Sequence, residues 1–186
     1  QQSASEYRKT FNDMTKAIAS REASRGLMGD AADKAVAEID KIEAALLQGD
    51  NILQFNDTVV VSKLIQQARY QVRGYTYSGK AEFEKNANAG IDQALVGINT
   101  LAGSIPSTYL AGLQAATAGL KAYQAAVGPY RDAQALSKEA LATMTKEGQD
   151  LLDLSAKLNS DQFTKREAES QQAKSTISLV TVLALL

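Results

Sequence analysis

A chain of 186 residues, 45% of them apolar and 22% charged, has the makeup of one folded domain or of two small helical bundles that share helices. Its net charge of −1, with no strongly basic stretch, gives no footprint for nucleic acid. With neither Cys nor His, it has no disulfide, no thiolate chemistry, none of the commonest metal ligands and no imidazole base, and no motif calls for a cofactor.

Apolar residues recur at helical spacing from the start. Tyr7, Phe11, Met14, Ile18, Arg21, Arg25, Met28, Ala32, Ala35, Ile39, Ile42 and Leu46 alternate steps of four and three, the seam of one helix over about 3–47. Gly49 and Asn51 end it. Asn56 or Asp57 is the expected cap of a second helix that reaches about Tyr77, with Val61, Ile65, Ala68, Val72 and Tyr75 on its seam. Ser78-Gly79 turns the chain into a third helix over about 81–102, which carries Phe83, Ala87, Ile91, Ala94, Ile98 and Leu101. After Gly103-Ser104-Ile105-Pro106 a fourth seam runs through Leu113, Ala116, Leu120, Tyr123, Val127 and Tyr130 to Leu158. Pro129 removes one hydrogen bond inside that helix, and no strong breaker follows up to the apolar tail.

Lengths set the expected architecture. At 1.5 Å per residue the first helix spans about 65 Å, the middle two about 30 Å each, and the fourth about 75 Å as far as Leu158. The prediction is all-α: an up-down four-helix bundle whose two long helices extend into a second, stacked bundle that is incomplete here. A distal bundle over about 25–135 and a remainder beyond it make up one domain of 1–176. A hydrophobic seam on the long pair is left for a missing N-terminal hairpin or a partner chain to cover. Residues 177–186 form an apolar run about half the length of a membrane-spanning helix. It reads as the start of a transmembrane helix, or else as a short buried helix end. The chain, which starts at Gln1, reads as a piece of a longer protein.

Arg21 and Arg25 fall on the first seam, Arg69 and Arg73 one turn apart beside the second, and Tyr123 and Tyr130 on the fourth. Measured from the distal tip, Arg73 and Tyr123 lie about 24 Å down, and Arg25 and Tyr130 about 33 Å down, so arginines and tyrosines from three helices are expected in one layer near the base of the bundle. Guanidinium groups turned into a bundle require a carboxylate, water or a bound anion, and converging arginines and phenols suit a small carboxylate. The alternative is that they pair with internal acids, Glu22 beside Arg21 (though i,i+1 neighbours point apart) and Asp132 for Arg69 or Arg73, or snorkel to the surface. Enzymatic machinery is not evident: there is no phosphate loop after a strand and no nucleophile elbow, and the carboxylates are scattered over solvated faces.

Several segments resemble the helical bimodular sensor domains of bacterial chemoreceptors and some sensor kinases. They are Ala68-Arg69 with Gln71-Val72-Arg73-Gly74-Tyr75, Leu120-Lys121-Ala122-Tyr123 continuing to Tyr130-Arg131-Asp132-Ala133, Tyr7 to Met28, and Gln162 to Ser175 ahead of Ile177. The resemblance implies two stacked bundles forming a ligand-sensing domain, each able to bind a small organic acid: dicarboxylates and other tricarboxylic-acid-cycle intermediates in the membrane-proximal one and acetate-like anions in the distal one. It makes Arg73 and Tyr123 the best distal contacts, Arg69, Tyr130, Arg25 and Arg21 their neighbours, and Arg166 the remnant of a proximal site. A homodimer in the inner membrane, with this domain in the periplasm, is the expected setting. A histidine kinase sensor, or a structural or lipid-associated bundle, are the alternatives.

Overall fold

The computed structural model describes residues 2–49 and 51–184, with side chains for 4–49 and 51–181. Among them the chain is helical and holds no strand. It comprises α1 (Gln2–Gln48), α2 (Ile52–Ser78), α3 (Ala81–Ala102) and α4 (Leu110–Ala184), with a short 3-10 turn at Ser107–Tyr109 leading into α4. These bounds match the spacing argument within a residue or two, apart from the start of α2.

That helix begins at Ile52, a full turn earlier than a cap at Asn56 or Asp57 would allow. The Asn51 carbonyl accepts the Phe55 N–H at 2.9 Å, so the apolar run Ile52-Leu53-Gln54-Phe55 is already helical. Asn51 also donates its side-chain amide to Gly49 O at 3.0 Å, which ties α2 to the end of α1. α2 ends at Gly79, whose φ of 66° is the left-handed geometry that glycine adopts without penalty, and its N–H donates to Tyr75 O at 2.7 Å. α4 runs through Pro129 without a break in its helical span.

The chain divides into two compact units, Met14–Lys138 and Gln1–Asp13 with Glu139–Leu186. In the larger unit, four helical segments surround one core. α1 supplies Met28, Ala32, Ala35, Ile39, Ile42 and Leu46; α2 supplies Val61, Ile65, Ala68, Val72 and Tyr75. α3 contributes Ala87, Ile91, Ala94, Ile98 and Leu101, and α4 contributes Leu113, Ala116, Leu120, Tyr123, Val127 and Tyr130. Ala87 and Ala94 alternate with Ile91 and Ile98 on α3, and Ala116 stands between Leu113 and Leu120 on α4, so helices approach closely there and still fill the space between them. Buried Thr58 satisfies its hydroxyl on Gln54 O at 2.7 Å.

In the smaller unit, Thr10 Oγ1 donates to Glu147 Oε1 at 3.2 Å. Most of its apolar side chains are exposed, including Phe11, Leu152, Leu158, Phe163, Ile177 and Val180. Among the described residues, no helix is long and apolar enough to cross a membrane.

Candidate functional site

The four-helix unit places the sequence-predicted arginines and tyrosines at two levels rather than in one layer. Tyr123 and Tyr130 are two turns apart, about 10 Å along α4, which is too far for one small ligand to touch both hydroxyls and the same arginine.

At the first level, Arg69 and Arg73 of α2 lie near enough to Tyr123 of α4 for their charge to act on its phenol. The Tyr123 ring is 3% exposed, a consequence of its seam position. Burial pushes its phenol well above the ordinary range, while the positive charges of Arg69 and Arg73 pull it back and Asp33 adds to the rise. Arg69 donates to Asp33 Oδ1 of α1 at 2.6 Å. Arg69 is 20% exposed and Asp33 69%, so the guanidinium leans inward while its carboxylate stands in solvent. Arg73 is exposed and makes no ion pair among the described residues. This level therefore holds two guanidinium groups, one carboxylate that neutralises half their charge, and a phenol that makes no hydrogen bond with any described residue.

At the second level, Tyr130 donates to Thr76 O at 3.0 Å and packs edge-on against Tyr75, ring centroids 5.8 Å apart. Burial raises the Tyr130 phenol, and Arg21 and Arg25 lower it. The Tyr75 phenol is pushed up to about 12 by burial and by Glu84 beside it. Glu84 in turn accepts from Arg131 at 3.2 Å.

The first helix departs from its expected seam here. Between Met14 and Met28 the inward positions are Ala17, Arg21 and Ser24, so steps of three come before steps of four, and Ile18 and Arg25 turn outward. Arg25 is 65% exposed and lies 3.6 Å from Glu22; Arg21 is 31% exposed and lies 3.0 Å from the same carboxylate. Arg21 thus folds back along the helix to its neighbour, a reach that its long stem permits, and neither side chain is an unpaired core charge. Asp132 serves Arg131, at 2.9 Å, and not Arg69 or Arg73. Arg166 lies on an exposed stretch of α4 in the smaller unit. Among the described residues, no group of His, Cys, Asp and Glu could hold a metal ion.

A family model of the helical bimodular sensor domain matches residues 1–173. The chain belongs to that family. As a helical bimodular sensor domain, it is similar to the methyl-accepting chemotaxis protein McpQ of Pseudomonas putida, with 42% identity over 179 residues, 96% of this chain and 28% of that protein. The methyl-accepting chemotaxis protein McpK of Pseudomonas aeruginosa is 32% identical over 126 residues, 63% of this chain and 20% of that protein. The chain therefore spans less than a third of either relative.

Asp33 is the member of the first level that sequence reasoning missed, and a signal for it existed. Counted from the turn near residue 50, Asp33 and Arg69 lie 17 and 19 residues away, so the same height arithmetic sets them opposite each other. Glu22 meets Arg21 although i,i+1 neighbours on a helix are expected to point apart, and Glu84, which meets Arg131, falls among the carboxylates read as solvated helix faces.

Proposed function

We propose that this chain is the extracytoplasmic ligand-sensing domain of a chemotaxis receptor, and that it binds a small organic-acid anion between α2 and α4 at Arg69, Arg73 and Tyr123. The observation that carries the reading is the local charge balance. The positive charges of Arg69 and Arg73 both act on one buried phenol, and among the described residues the protein supplies one carboxylate, to Arg69 alone. A ligand carboxylate beside Arg73 and the Tyr123 hydroxyl completes the set with charge-assisted hydrogen bonds. A chemotaxis output is favoured over a kinase because both relatives reported above are chemotaxis proteins.

Binding there favours one arrangement of α2 against α4 over another, the differential interaction by which a ligand shifts an equilibrium. α4 continues from the site to the exposed apolar residues Ile177, Leu179 and Val180, which on this reading lead towards the membrane, with the sensing unit in the periplasm. The domain acts as a homodimer. A groove of about 750 Å³ between α1 and α4, lined by Leu27, Ala31, Ala115, Ala118, Ala122 and Pro129, offers an apolar face to a second copy. Its edge carries Asp30, Lys34 and Glu38, an acid-base-acid row that a two-fold-related copy can match with its own.

Calorimetric titration with mono-, di- and tricarboxylates tests the site. The expected result is binding of at least one acid, with a loss of about tenfold or more in Arg73→Ala, the scale of one charged hydrogen bond. Equal binding by the wild type and the variant overturns the site, and no binding across the panel overturns the ligand class.

A further inference from the structure

A second groove, separate from the arginine site, runs along the outer face of the α2–α3 pair. It measures about 790 Å³ and is lined on α2 by Ser62, Lys63, Gln66, Gln67, Tyr70 and Gln71, and on α3 by Asn86, Ala89, Gly90 and Gln93. The floor is low because the helices approach closely there: a Cβ built on Gly90 would lie 3.3 Å from Ala68 Cα. The walls are long because amide side chains stand on both sides. Residues 62–71 of α2 span about 13 Å, the length of one or two sugar rings.

Its chemistry differs from that of the arginine site. Five lining residues carry side-chain amides, and Lys63 is the one charged residue among them. Each amide offers donors and an acceptor on adjacent atoms, which matches neighbouring hydroxyl groups that both donate and accept. Tyr70 stands 69% exposed at the same face, a ring on which a C–H surface can stack. One acceptor in the wall is unsatisfied: Gln71 Oε1 is out of contact with water and meets no donor. As placed, this oxygen is closed to the groove as well as to water, so it can accept from a bound hydroxyl only when the Gln71 side chain turns outward into the groove, where it would also gain the partner it lacks.

We propose that the α2–α3 groove is a binding site for a polyhydroxylated small molecule, a sugar or sugar acid, held by the amides of Gln67, Gln71 and Gln93 and by the ring of Tyr70. Lys63 at the groove accommodates an acid group where one is present. Occupancy would brace α2 against α3 and so act on the helix that carries Arg69 and Arg73.

Calorimetry of the whole chain with glucose and with gluconate provides the test. Ala89 is exposed and lines the groove, so Ala89→Trp fills it without entering the core. The expected result is binding of glucose, gluconate or both, abolished in Ala89→Trp and weakened about tenfold in Gln71→Leu, the scale of one lost hydrogen bond. Arg73→Ala should leave glucose binding unchanged, which separates the groove from the carboxylate site. Absence of binding for both probes, or binding that both groove variants retain, overturns the proposal.

Discussion

The Arg69 guanidinium donates to Asp33 Oδ1 at 2.6 Å across α1 and α2, and the same positive charge acts on the buried Tyr123 phenol of α4. Asp33 therefore occupies the electrostatic place that an anionic ligand would take. Because Asp33 is 69% exposed, the pair itself adds little to stability, on the order of 1 kcal/mol or less. Asp33→Asn should then tighten carboxylate binding about threefold to fivefold while leaving the melting temperature nearly unchanged. Titration beside thermal unfolding reads both, and weaker binding in the variant would place Asp33 among the ligand contacts and not among their competitors.

Glu43 gives a pH dependence with a definite sign. Burial pushes its carboxyl above the ordinary value and Asp40 adds to the rise, while Ser62 beside it pulls the other way; its Oε1 is closed to solvent without a partner. For an acid whose folded value is raised, the unfolded chain ionises first as pH rises from 4.5, so the folded state loses relative stability across the window above that value. Glu43→Gln removes this loss. The variant should melt above the wild type at pH 7, and the gap should close as pH falls below about 4.5, where both forms of the wild type are protonated. A gap that stays constant with pH would assign the effect to packing.

The fold was largely legible because helical seams obey a short-range rule. All five seam residues read for α2, and all six read from Leu113 to Tyr130, are buried. The failures come where a rule has two solutions. Steps of three and four between Met14 and Met28 can be ordered either way, and it is Ala17 and Ser24 that are buried while Ile18 and Arg25 are exposed. The site was legible only as a set of cations. Which acid meets which arginine depends on side-chain reach across helices, which one strand of sequence encodes only through relative height, as with Asp33 and Arg69. The early start of α2 was hidden because Asn51 caps it without a side-chain hydrogen bond, leaving Asn56 and Asp57 as the more conspicuous signals.

Close approach of α1 and α4 rests on Gly119. A Cβ built there would lie 2.9 Å from Ala31 O and 3.1 Å from both Ala35 Cβ and Ala35 N, so the obstruction is mostly backbone and cannot rotate away. Gly119→Val should destabilise the larger unit by about 1–3 kcal/mol, the range for forcing extra carbon into a packed interior. Gly128→Ala is the control, since its Cβ meets nothing within 4 Å. Denaturant titration followed by far-ultraviolet dichroism should show a lowered midpoint for the first and not for the second.

Tyr130 separates a scaffold role from a binding role at the second level. Its hydroxyl donates to Thr76 O at 3.0 Å, near the C-terminal end of α2, where the last carbonyls of a helix lack intrahelical partners. Its ring meets Tyr75 edge-on at 5.8 Å, an arrangement that survives loss of the hydroxyl. Tyr130→Phe should therefore cost about 1 kcal/mol, the scale of one hydrogen bond removed from a part-buried pair. Carboxylate affinity should be unaffected, because Arg21 and Arg25, which act on this phenol, are already paired with Glu22. Tyr123→Phe should show the reverse pattern: binding falls about tenfold, since the lost hydroxyl faces Arg69 and Arg73, while stability holds because that hydroxyl has no partner among the described residues to lose. If Tyr130→Phe abolished binding and Tyr123→Phe did not, the ligand would belong two turns further along α4, between Arg21, Arg25 and Tyr75.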